Sequence, residues 1–174
     1  MRAISLALVA LVALSSGACG FHLRGGTTAS DVGAVQLTSL HTLAATPFVL
    51  RALEQAGAHV VDERASASVV VELLEEKFSS QTVSYTDQAR TAEYEVTLTL
   101  DFRASRANGD ELIPDRRMRA SRVYRLDRNN LPGSSQQAEL LRNEMTMDLA
   151  EQIVRTVGAA NRNAPATPAK AAGS

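Results

Sequence analysis

Arginine is the residue type best placed to do specific chemistry in this chain. Arg103, Arg106, Arg116, Arg117, Arg119, Arg122, Arg125 and Arg128 are gathered in one short stretch, eight of the eighteen Lys and Arg residues. A guanidinium presents a rigid fork of donors that matches phosphate or carboxylate oxygens through two bonds, which a lysine cannot do. The plainest reading is a solvated strand face neutralised by Asp101, Asp110, Glu111, Asp115 and Asp127, since exposed charges contribute little one by one. Arg125 and Arg128, near the end of the stretch, stand out as cations free to contact an anion. Catalytic signatures are missing. His22, His41 and His59 form no His-Glu-x-x-His helix, and Gly25-Gly26 lacks the Lys and Ser/Thr of a phosphate cradle. There is also no Gly-x-Ser-x-Gly elbow. Glu75-Glu76 and Asp110-Glu111 read as solvated carboxylates. A triad assembled across space leaves no local mark, so a hydrolase stays open as the lesser reading. The expectation is a protein that is not an enzyme and needs no cofactor or metal.

The single cysteine excludes an intramolecular disulfide and a multi-thiolate zinc site. Its position is informative. Met1 and Arg2 give a positive start, Ala3 to Leu14 is apolar apart from Ser5, and small residues Ser15, Ser16, Gly17 and Ala18 lead to Cys19. These are the three regions of a secretory signal over residues 1–18, too short for a membrane span, which takes about 20 apolar residues. A cysteine directly after Gly17-Ala18 resembles a bacterial lipoprotein signal, whose mature terminus carries acyl chains on the thiol and the amine. Several chains anchor firmly where one does not. The alternative is a plain signal with an incidental thiol. Gly20, where inner-membrane retention uses Asp, implies the outer membrane in lipoproteins of this kind.

Positioning these groups requires a folded domain, and the mature composition supplies one. The chain has 174 residues, 45% hydrophobic and 21% charged, enough for one domain with a real core. Net charge is -1, which gives no general drive toward nucleic acid or anionic lipid. Residues 19–33, rich in Gly, Thr and Ser, read as a lipidated tether. Residues 34–158 read as a single α+β domain. Val35 and Leu37 suggest a first strand; Thr46 as N-cap, Pro47, an apolar stripe and Gly57 predict a helix. Val69 to Tyr85 reads as a strand that turns polar. Tyr94 to Ala104 alternates without a break, Asn108-Gly109-Asp110 is a turn, and Arg116 to Leu126 returns as a strand. Ser134 with Gln137 forms a capping box for a last helix, with Leu141, Met145, Leu149, Ile153 and Val157 as its stripe, Leu140, Met147 and Val154 widening it, and Gly158 ending it. Residues 159–174 read as a disordered tail. The architecture expected is two helices on one face of a roughly four-stranded, mainly antiparallel sheet.

Three segments carry a family resemblance: Cys19-Gly20-Phe21-His22-Leu23-Arg24-Gly25, Thr91-Ala92-Glu93-Tyr94 and Arg122-Val123-Tyr124-Arg125. In this order they are similar to segments of the LptE lipopolysaccharide-assembly lipoproteins, over roughly Cys19 to Val157. The resemblance implies a lipid-anchored protein on the periplasmic side of the outer membrane, attached through Cys19 and seated in the LptD β-barrel. It would plug the barrel and help it assemble lipopolysaccharide into the outer leaflet. Family members bind lipopolysaccharide through basic residues near two loops, which here implies Arg90, Arg125 and Arg128, although the second loop, Asn129 to Gln137, has no Lys or Arg. The alternative is a lipid-anchored periplasmic scaffold with a different envelope partner.

Overall fold

The computed structural model describes residues 32–85, 91–127 and 131–164. The elements run β1 (Ala34–Ser39), α1 (Thr46–Gln55), β2 (His59–Val60), a 3-10 turn (Arg64–Ser66), β3 (Val69–Tyr85), β4 (Thr91–Arg106), β5 (Glu111–Asp127) and α2 (Leu131–Asn163). The α+β class and the two-helix layer are as the sequence predicts. The sheet has five strands rather than four, in the order β2-β1-β3-β4-β5. β2 pairs with β1 through two residues only, Ala34 with His59 and Val35 with Val60, too short a segment to show any periodicity. β1 is parallel to β2 and β3, while β3, β4 and β5 form an antiparallel meander.

Helix α1 begins for a different reason than its sequence suggests and ends for the expected one. The N-cap is Ala45, not Thr46, and no side chain of the helix caps it. The acceptor comes from β3: Glu76 Oε2 takes the Ala45 N–H at 2.8 Å. Gly57 does stop the helix. Its φ of 78° lets the Ala58 N–H reach Leu53 O at 3.0 Å and the Gly57 N–H reach Glu54 O at 2.9 Å, the paired bonds of a Schellman closure.

Helix α2 departs from its predicted bounds. It starts at Leu131, three residues before the predicted Ser134 cap, with Pro132 in its first turn, where a missing N–H costs nothing. It runs through Gly158 to Asn163, so the predicted stop is overridden: Gly158 is buried, and Val157 and Ala160 pack on the core around it. A mid-helix glycine costs only about 1 kcal/mol, which packing exceeds. The stripe Met145, Leu149, Ile153 and Val157 is fully buried, but Leu140 and Met147 are 64% and 46% exposed. At 100° per residue they lie about 180° and 160° round the helix from Leu149, on its far side.

One core joins both helices to the sheet. Val49 and Leu53 of α1 and the α2 stripe meet Val69, Val71 and Leu73 of β3 and Val96, Leu98, Leu100 and Phe102 of β4. The alternation predicted for β4 is therefore met residue by residue. β5 begins five residues before its predicted start, because Ile113 is buried and pairs with Ala104. Pro114 sits at a register shift of this edge strand, where no ladder bond is lost.

Candidate functional site

With both helices on one face, the other face of the β3-β4-β5 meander is open, and it carries most of the charged side chains of these strands. A bulge decides which ones. Leu73 is opposite Phe102 and Glu75 opposite Asp101, so Leu74 is an extra residue on β3. It shifts the alternation: Glu76 and Phe78 turn toward the helices, while Glu75, Lys77, Ser79 and Gln81 line the open face. The adjacent carboxylates Glu75 and Glu76 thus point to opposite sides of the sheet and cannot act as an acid/base pair.

Cross-strand register arranges the open face in rows. Glu75, Asp101 and Arg117 form one, then Lys77, Thr99 and Arg119, then Ser79, Thr97 and Ser121, then Gln81, Glu95 and Val123. Glu93 and Arg125 lie opposite one another in the row beyond. Three of the arginines on this face are neutralised locally. Arg103 contacts Glu72 at 2.7 Å, Arg117 grips Asp101 through two bonds of 2.8 and 2.6 Å, and Arg125 reaches Glu93 at 3.2 Å. The fork of Arg117 holds the Asp101 carboxyl below its usual value, and Asp101 in turn raises the guanidinium. Glu72 does the same for Arg103. The Gln81 amide donates to Glu95 at 2.8 Å, and the Thr97 and Ser121 hydroxyls share a hydrogen bond of 2.9 Å. The middle rows enclose a depression of about 320 Å³.

Other arginines serve the helical side. Arg122, on the helix face of β5, pairs with Asp148 of α2 at 2.7 Å. Arg142 of α2 contacts Glu76 at 3.0 Å and lies 5.1 Å over the Phe78 ring. Glu76, 6% exposed, therefore ties α2 to the start of α1. Arg64, in the turn before β3, donates to the end of β4 at Ser105 Oγ, 3.2 Å, and to the β4–β5 turn at Ala107 O, 3.2 Å.

The predicted site residues divide sharply. Cys19, Arg90 and Arg128 lie outside the described residues. Arg125 is exposed but paired with Glu93, not free as its sequence position suggests. His41, in the loop after β1, and His59, in β2, are both exposed, Asp110 binds within its own turn to Asn108, and among the described residues no three His, Cys, Asp or Glu side chains come together to hold a metal. Sequence reasoning named Arg119 within the arginine cluster but missed Lys77, which shares its row with a neutral threonine between them. Nothing short of the strand register could reveal that.

No curated protein matches the chain by sequence. Solved structures do resemble it: lipoprotein B from Nitrosomonas europaea, uncharacterized, has a TM-score of 0.67 at 23% identity, covering 83% of this chain and 94% of that one. Rare lipoprotein B from Shewanella oneidensis has a TM-score of 0.64 at 23% identity, over 75% and 97% of the two chains. A minor lipoprotein from Acinetobacter baumannii has 0.59 at 22% identity, over 75% and 92%. These likenesses establish a shared fold. The family model for LptE, lipopolysaccharide assembly, matches residues 43–157, from the loop before α1 to the last buried stripe residue of α2. That stretch is most of the folded domain and more than half of the chain, and so the protein belongs to the LptE lipopolysaccharide-assembly family.

Proposed function

We propose that this protein is an outer-membrane lipoprotein that forms a complex with the LptD β-barrel, plugs it, and assists assembly of lipopolysaccharide into the outer leaflet. The family match over residues 43–157 carries this reading. The signal over residues 1–18 is removed, Cys19 is acylated, and the domain is held on the periplasmic side of the outer membrane. Arg90, Arg125 and Arg128 contact lipopolysaccharide, whose phosphates suit guanidinium forks. The protein has no catalytic role.

Two properties of the surface support a seat inside a barrel. Large barrel lumens are polar, and the open face of β3, β4 and β5 is polar, with most of its charges paired internally. A face whose charges are mostly paired can be enclosed at lower desolvation cost than one of bare charges. The test is a mild-detergent pull-down from native membranes. Recovery of a large outer-membrane β-barrel in stoichiometric amount is expected; a different envelope protein in its place would identify a periplasmic scaffold instead. In purified material, charge reversal of Arg90 and Arg128 together is expected to weaken lipopolysaccharide binding with the melting temperature unchanged.

A further inference from the structure

We propose that the depression in the middle of the open sheet face is a binding site for a phosphate-bearing saccharide, separate from the arginines near the ends of β4 and β5. Its cations distinguish it. Arg103 and Arg125 on the same face each hold a carboxylate, and so does Arg117 in the lining itself, whereas the other two cations of the lining, Lys77 and Arg119, form no ion pair among the described residues. They flank Thr99 in one row, so their stems start about 10 Å apart, two strand spacings. Both side chains are long enough to converge on one anion between them. Arg119 already leans inward, its guanidinium 3.5 Å from Thr97 Oγ1.

The rest of the depression selects what carries the anion. Ser79, Thr97 and Thr99 line the depression with hydroxyls that both donate and accept, the pattern that pairs with sugar hydroxyls, and the Glu75 carboxylate and Gln81 amide of the same lining can take further sugar hydroxyls. At about 320 Å³ the space is at the low end for ligand sites, fitting one or two sugar rings. There is no apolar floor for an acyl chain. No aromatic ring lies on this face among the described residues, Tyr94 and Tyr124 being stacked on the helix face, so a nucleic acid would find phosphate contacts but no base platform. The Lys77 and Arg119 row lies six residues along β4 from Glu93, about 20 Å, so these two cations are separate from the Arg125 row although the lining reaches Gln81, one row short of it. Assigning the saccharide to a lipopolysaccharide headgroup rests on the function proposed above; the chemistry of the depression does not.

The test uses the full mature chain in mild detergent, with backbone amides followed by NMR during titration with glucosamine 1-phosphate, glucosamine or inorganic phosphate. Glucosamine 1-phosphate is expected to shift Lys77, Thr97, Thr99 and Arg119, with glucosamine and phosphate each binding about tenfold or more weakly. The double variant Lys77→Gln, Arg119→Gln, both exposed positions, should melt like the parent and lose the response. Equal binding of free phosphate would reduce the site to an anion contact and overturn the saccharide assignment, as would shifts confined to residues near Arg125. If sugar phosphate binds here but no barrel co-purifies, the functional reading fails and the site stands; if a barrel co-purifies but the depression gives no response, the site fails and the functional reading stands.

Discussion

At the residue scale, two carboxylates do different work because of what surrounds them. Glu76 is nearly enclosed and serves two elements, accepting the Ala45 N–H and the Arg142 guanidinium. Glu76→Ala leaves that N–H without its acceptor, an expected loss of about 1–3 kcal/mol in denaturant unfolding. Glu76→Gln keeps an oxygen at that position and should cost clearly less; equal losses would mean the charge, not the cap, is what matters. Asp101 lies on the open face, and Arg117 lowers its carboxyl from the ordinary value near 3.9. A group whose folded value is depressed contributes stability that is complete above the unfolded value and is lost as pH falls through the folded one. Asp101→Asn should therefore be slightly less stable than the parent near pH 7, with the difference shrinking as pH falls below about 4, so that the acid limb of its stability curve flattens. Melting temperatures between pH 2 and 7 would check it. The sequence shows that Asp101 and the arginines are close in the chain, but not that Arg103 chooses Glu72, thirty-one positions away, over its nearer acids.

At the scale of elements, what was legible followed strict periods and what was not depended on single-residue irregularities. β4 could be read position by position, since Val96, Leu98, Leu100, Phe102 and Ala104 are all buried. The Leu74 bulge could not, because an extra residue in a run of Val, Leu and Glu looks like the same strand continuing. That one residue places Lys77 on the open face and Glu76 under α1, so the candidate site was hidden even though the strands were not. The helix ends show the same contrast. Gly57 and Gly158 look alike in sequence, yet only Gly57 has a positive φ, the backbone state that an L side chain resists. Gly57→Ala should then cost about 1–2 kcal/mol through strain at the Schellman closure, seen as a lower melting temperature. A neutral result would show that α1 can close without a left-handed residue.

For the molecule as a whole, the length of the layer exceeds the length of the core that the described side chains form. β5, with 17 residues, extends about 56 Å and α2, with 33, about 50 Å, so helix and strands run side by side almost end to end. Buried side chains cluster at the end toward the β4–β5 turn, in Val69 to Leu73, Val96 to Ala104, Ile113 and Met145 to Val157. Toward the other end, among the residues whose side chains are described, Phe78, Tyr94 and Tyr124 on the helix face are partly buried, with Ser80 exposed in the same alternation. Each fully buried apolar side chain stabilises by about 1.5–3 kcal/mol, so the two ends must open at different cost. Hydrogen exchange should show amides of residues 98–104 opening only with global unfolding, and those of 79–83 and 93–95 opening locally, with free energies lower by roughly 2 kcal/mol or more. Two variants separate this from uniform breathing. Phe102→Ala removes about 3–5 kcal/mol, a large share of the 5–15 kcal/mol a domain commands, and should lower protection everywhere. Tyr124→Ala breaks a stacked ring pair with centroids 5.8 Å apart, worth about 1 kcal/mol beyond its area, and should lower protection at 93–95 while leaving 98–104 as they were. Equal loss along both ranges in Tyr124→Ala would mean the layer unfolds as one unit. On the function proposed above, a graded layer would let the end that carries the Arg125 row adjust to a ligand or a lumen wall while the core beneath the helices stays closed.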